Sequence, residues 1–164
     1  ELLAADWSRV EAVYDGYGTR EPAAITGQLA TDLLFTAPTR TVARSAARNG
    51  LPTYVYFYSY LRPTQRGSLP GALHGDEIYP VFGTMNVVEK QLDSSTQRVT
   101  DDMQSRWVQF AKTGKPSMAG APWPAFKPGA ESVLEFTMDG VTIHKSFARE
   151  RLDLADSIGF VPSP

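Results

Sequence analysis

Thr53-Tyr54-Val55-Tyr56-Phe57-Tyr58-Ser59-Tyr60 is the stretch whose reading decides the fold. β-Branched and aromatic residues fill it, and Leu51-Pro52 and Arg62-Pro63 punctuate its ends, so it reads as a strand. A period of two sets the four tyrosines on one face and Val55, Phe57 and Ser59 on the other. A strand that is apolar on both faces and follows a helical segment has the pattern of a buried strand in a parallel sheet, and the class it implies is α/β. Core packing accounts for its aromatics better than a ligand platform does.

Upstream, residues 1–50 read as a helical segment. Ser8-Arg9-Val10-Glu11 has the spacing of a capping box and predicts a short helix to about Tyr14, broken by Gly16 and Gly18. Pro22 opens a second helix to about Phe35, with Ile25, Leu29 and Leu33 at helical spacing. Pro38 then restarts a third helix, in which Val42, Ala43, Ala46 and Ala47 form the apolar stripe. Arg40, Arg44 and Arg48 are expected to face water, and Asn49-Gly50 supplies the left-handed stop.

Downstream, residues 51–83 hold the strand and a histidine loop. The Pro, Gly, Ser and Gln content of 61–71 reads as irregular, and it delivers His74 beyond the end of the strand, where α/β proteins keep their sites. His74 has small neighbours, two adjacent carboxylates in Asp76 and Glu77, and an apolar tail to Gly83. One histidine can act as a general base, but nucleophilic catalysis also needs a nucleophile and a group that orients the imidazole. Asp76 and Glu77 lie too near in sequence to reach the far imidazole nitrogen in line. Residues 94–164 read as a helix from Ser94 carrying Val99, Met103, Trp107 and Phe110, a loop over 116–128 pinned by Trp123 and Phe126, a hairpin over 132–145 turning at Asp139-Gly140, and a terminal helix over 147–158. His144 is expected as a surface strand residue.

The 164 residues fit one ordinary domain, and 16 basic against 18 acidic side chains give a net charge of -2 with no block of either sign. That balance leaves no electrostatic footprint for nucleic acid or anionic lipid and favours a small organic partner. With no cysteine, disulfides, thiolate metal sites and cysteine nucleophiles are excluded. No apolar run approaches the roughly 20 residues of a membrane-spanning helix, and Glu1-Leu2-Leu3-Ala4 has no signal-peptide pattern. The compartment stays open. No cofactor is expected, and a metal site built from His74, Asp76 and Glu77 is the weaker reading, since no second histidine is placed to join them. The opening at Glu1, inside a helical approach, suggests a piece cut from a longer chain.

These blocks add up to a family. Thr31-Asp32 with Phe35 and Pro38, the strand 53–60, Ala72-Leu73-His74-Gly75-Asp76-Glu77 leading to Val81-Phe82-Gly83, and Trp107 through Pro116 with Trp123-Pro124 together resemble the carboxyl-terminal portion of a type-B carboxylesterase. This is the cholinesterase and lipase-like branch of the α/β-hydrolases, and order and spacing match over residues 31–126. The resemblance implies part of a mostly parallel sheet flanked by helices, incomplete without its amino-terminal part. It also implies a serine esterase acting on a small-molecule ester, with His74 as general base, Gly75 and Glu77 supporting the site, and Asp76 as a candidate pocket residue.

Chain order in that fold is serine, acid, histidine, so the resemblance puts the other two members before residue 1. No G-x-S-x-G occurs in the chain. The competing reading is a non-catalytic cholinesterase-like interaction domain. A half-sheet on its own is expected to leave one strand edge and the tyrosine face uncovered. That predicts a polypeptide folded in complex with the amino-terminal portion of the same enzyme and not as a lone monomer.

Overall fold

In the computed structural model, which describes residues 2–15 and 18–159, three strands form one sheet in the order β1-β2-β3. Strand β1 (Val55–Tyr58) pairs in parallel with β2 (Ser132–Thr137), Val55 opposite Val133 and Tyr58 opposite Phe136. Strand β3 (Gly140–Lys145) returns antiparallel to β2 through a two-residue turn at Met138-Asp139. Gly140, at φ +130°, opens the returning strand in a conformation that L side chains rarely adopt. Among the described residues β1 pairs on one side only, which leaves the expected open edge.

The tyrosine face is covered, contrary to the sequence expectation. Helix α5 (Ser94–Thr113) lays Val99 and Met103 against Tyr60, Leu134 and Phe136, and Tyr54, Tyr56, Tyr58 and Trp107 pack around them. Trp123, from the proline-rich loop, closes the cluster with its Nε1 donating to the Val55 carbonyl at 3.3 Å. Tyr56 meets Trp107 edge-on at 5.1 Å, one of several such pairs that add about 0.5–1.5 kcal/mol each to simple burial. Phe110, the last residue of the predicted stripe, is half-exposed and meets Tyr54 edge-on at 6.0 Å.

Helix α5 begins at Asp93, whose carboxylate accepts from the Thr96 backbone N–H at 2.7 Å, and stops at Gly114 in the left-handed region. The Thr96 hydrogen bonds, then Arg66 and Ser95, hold the Asp93 carboxyl well below its ordinary range. The stability this gives is complete above the unfolded value near 3.9 and is lost as pH falls through the depressed folded value. Asp93→Ala is therefore expected to cost about 1 kcal/mol at pH 7 and progressively less below pH 4, read from urea midpoints at each pH.

The amino-terminal layer differs from the sequence expectation in three ways. Helix α1 runs Leu2–Tyr14, so Ser8 sits inside it and the capping box does not mark its start. Gly16 lies outside the described residues. Helices α2 (Pro22–Thr31) and α3 (Ala37–Arg48) are not separate: a π turn, Asp32–Thr36, joins them, with the Ala37 N–H reaching the Asp32 carbonyl. The wider turn moves the Pro38 ring off the carbonyl it would strike in a regular α-helix, so the chain passes through a proline without breaking.

The third difference concerns the arginines. The buried side of α3 is Ala37, Arg40 and Ala43, while Val42 is exposed. Arg40, expected in water, is 5% exposed and bonds Glu131 and Asp153 at 2.7 Å and Asp156 at 3.2 Å. Arg44 joins Glu131 and Asp156, and Arg48 alone of the three is exposed. Helix α6 (Arg149–Ile158) supplies the two aspartates and packs Leu154 against Val10, Tyr14, Ile25 and Leu29.

Candidate active site

Beyond β1 the chain runs through Tyr60, which is buried and bonded to Thr96, into a loop fastened at several points. A single turn of 3-10 helix, Pro63–Gln65, is held by the buried Glu89, which accepts from the Thr64 N–H at 3.1 Å and from its hydroxyl. Arg66 bonds the Leu61 carbonyl, the Tyr60 hydroxyl and Asp93. The loop thus arrives at residue 72 as a fixed path despite its irregular composition.

Two overlapping turns then shape the histidine segment: Asp76 N–H donates to the Leu73 carbonyl and Ile78 N–H to the Gly75 carbonyl, both at 3.1 Å. Gly75 takes φ +90°, which L side chains rarely adopt, so the tight reversal needs glycine there. Helix α4 (Ile78–Val81) follows and packs on α5. It gives way at Gly83, whose φ of +66° is in the left-handed region that favours glycine.

Asp76, the candidate pocket residue, is buried under the loop. Its carboxylate accepts from Gln65 Nε2 at 2.6 Å, from the Leu73 N–H at 2.9 Å and from Arg62 at 3.3 Å. Those bonds tie the end of the loop to its beginning, and none of them runs to the imidazole. Glu77, read as a supporting residue, lines a cavity of about 360 Å³ together with His74, Phe35, Arg40, Val55 and Phe57. Burial pushes the Tyr58 phenol up, and the Asp76 and Glu77 charges add to it; Tyr56 is raised by burial and by Glu77. Both remain neutral phenols at physiological pH.

His74 itself is exposed on the cavity rim, one ring face stacked on Phe35 at 4.8 Å between centroids and 23° between planes. Among the described residues no serine, threonine or carboxylate is hydrogen-bonded to it. An imidazole so placed can exchange a proton with a group presented from outside this chain. Among the described residues no group of three or more His, Asp or Glu side chains could hold a metal ion, and no helix is long and apolar enough to cross a membrane.

Sequence reasoning missed two features. Phe35 above His74 gives no signal in either segment alone. The second is Ser59-Glu135-His144, where Glu135 accepts from Ser59 at 2.6 Å and lies 2.7 Å from His144 Nε2. The β2–β3 register, Val133 opposite His144, places these two side chains diagonally on one face. A two-residue hairpin turn with period two could have found that pair. The carboxylate stands between serine and histidine, so the imidazole cannot take the serine proton, and the trio is a clasp of β1, β2 and β3 and not a nucleophile with its base.

The profile of the Carboxylesterase family matches residues 14–155. The chain belongs to the carboxylesterase family. Acetylcholinesterase of Leptinotarsa decemlineata is 26% identical over 140 residues, 85% of this chain and 22% of that protein. Carboxylesterase 1C of Rattus norvegicus is 33% identical over 129 residues, 73% of this chain and 23% of that protein. This carboxylesterase-family chain thus spans less than a quarter of the length of these two relatives. Among solved structures, an esterase from Clostridium hathewayi that can hydrolyse aliphatic aromatic polyesters superposes with a TM-score of 0.71 at 22% identity, over 93% of this chain and 30% of its own. Carboxylesterase EST55 of Geobacillus stearothermophilus gives 0.71 at 23%, over 88% and 31%. The fold is that of a carboxyl-terminal part of an α/β-hydrolase.

Proposed function

We propose that this chain contributes His74 as the general base of a serine carboxylic ester hydrolase, in a triad whose serine and acid belong to another part of the same polypeptide. The observation that carries this is the exposed, unbonded imidazole at the rim of an apolar cavity, just past a parallel strand, in a chain of the carboxylesterase family. The His74 imidazole takes the serine proton as the hydroxyl attacks the ester carbonyl, then returns it to the departing alcohol. Water repeats the two transfers on the acyl-enzyme. A carboxylate outside this chain fixes the tautomer, Gly75 permits the turn, and Glu77 supports the site from the cavity wall. The lining of Phe35, Val55 and Phe57 suits an apolar portion of a small ester.

The test is to expose the 164-residue chain and the whole polypeptide that carries it to a fluorophosphonate probe and to p-nitrophenyl acetate. The whole polypeptide should be labelled on a serine outside this chain and should hydrolyse the ester; the chain alone should do neither. Hydrolysis by the chain alone above buffer, abolished in His74→Ala, would show that the catalytic set lies within it. A whole polypeptide that is neither labelled nor active would favour the interaction-domain reading.

A further inference from the structure

We propose that Phe35 is a positioning residue that fixes the plane of the His74 imidazole, presented to it by the π turn that a buried carboxylate anchors. The inference rests on the reading of His74 as the base only in its kinetic consequence; the geometry stands apart from it.

Phe35 is 46% exposed and belongs to none of the core clusters, so core packing does not explain an aromatic there. Its ring contact is the His74 imidazole, nearly parallel to it at 4.8 Å. That imidazole has no hydrogen-bond partner among the described residues, so on this chain the stack is what opposes rotation of the ring. A base must hold its nitrogen within hydrogen-bond reach of the proton it takes, and misplacement of about 1 Å costs about a hundredfold in rate.

The support for Phe35 is a built one. It is the fourth of the five residues of the π turn, a wide turn of a kind found frequently at functional sites. The first residue of that turn, Asp32, is fully buried, with its Oδ2 accepting from the Tyr14 hydroxyl at 2.9 Å and 3.2 Å from Arg151 Nε. The Arg151 guanidinium also lies over the Tyr14 ring. Burial, and next the Asp32 charge, keep the Tyr14 phenol neutral and so a donor. Helices α1 and α6 therefore clamp the start of the turn three residues before Phe35. Both contacts fall on Oδ2, while Oδ1 is buried with no hydrogen-bond partner among the described residues, so the anchor acts through one carboxylate oxygen.

The test uses two readouts. In the whole polypeptide the proton resonances of the His74 ring are identified as those that a His74→Gln variant lacks. Stacking under a phenyl ring shields the His74 ring protons; Phe35→Leu is expected to move them downfield, and Phe35→Tyr to leave them in place. In the whole polypeptide Phe35→Leu should lower kcat for p-nitrophenyl acetate about tenfold to a hundredfold with KM nearly unchanged, and Phe35→Tyr should restore it. Unmoved His74 resonances in Phe35→Leu, or an equal loss of kcat in the leucine and tyrosine variants, would overturn the proposal. Resonances that move as expected in a polypeptide that hydrolyses no ester would support the stack and overturn the reading of His74 as a base.

Discussion

His74→Ala is expected to remove ester hydrolysis from the whole polypeptide, by about a millionfold in kcat with little change in KM, the scale on which loss of the base acts in a serine triad. The size follows from the division of labour: without an acceptor for its proton a serine hydroxyl is a poor nucleophile, while donors that bind the ester oxygen are untouched. His144→Gln is the control. That imidazole lies 2.7 Å from Glu135 on the sheet, in a cluster distinct from the cavity rim, and its loss should leave turnover in place. Initial rates with p-nitrophenyl acetate across both variants and the parent decide it. Turnover that survives His74→Ala, or that disappears only in His144→Gln, would move the base elsewhere.

Arg40→Ala should destabilise the chain by about 2 kcal/mol, the largest loss expected from any charged residue of α3, because it removes the buried member of an ion cluster whose carboxylates are only partly exposed. Arg40 faces Glu131, Asp153 and Asp156, and Glu131 is only 15% exposed. Burial pulls Glu131 toward protonation, yet its hydrogen bonds to Arg44 and Arg40 hold it below the usual carboxylate range. Asp156 goes the other way, raised by burial in spite of both arginines. Without Arg40 these carboxylates repel one another across the α3–α6 contact. Arg48→Ala, on the exposed end of the same helix, should change stability by less than about 0.5 kcal/mol. Urea unfolding would show the difference as a lower midpoint for Arg40→Ala at unchanged slope; equal midpoints would contradict it.

What could be read from the sequence was what local chemistry decides. β-Branched and aromatic residues made β1, period two made the hairpin with its turn one residue before the expected Asp139-Gly140, and Gly114 stopped α5. The position of His74 beyond a parallel strand was legible for the same reason. The arginine face of α3 was misread because its partners lie 87 to 116 residues away, and no local pattern distinguishes a guanidinium in water from one facing distant carboxylates. The cover on the tyrosine face was missed likewise: it comes from α5 and Trp123, brought back by a crossover. The π turn was invisible because proline ordinarily signals a helix end, and only burial of Asp32 between Tyr14 and Arg151 makes the wider path worthwhile.

The π turn also sets the phase of everything after it. A π turn spends one more residue on each turn than an α turn does, so Asp32–Thr36 absorbs that residue and hands α3 on in nearly the phase of an unbroken helix. An extra residue in the regular helix after the turn, with no such turn to absorb it, would rotate the rest of α3 by about 100° and swing Arg40 away from Glu131. Five residues act in this way as a vernier between two layers, taking up a residue of chain while Asp32 and Phe35 keep their places on the turn.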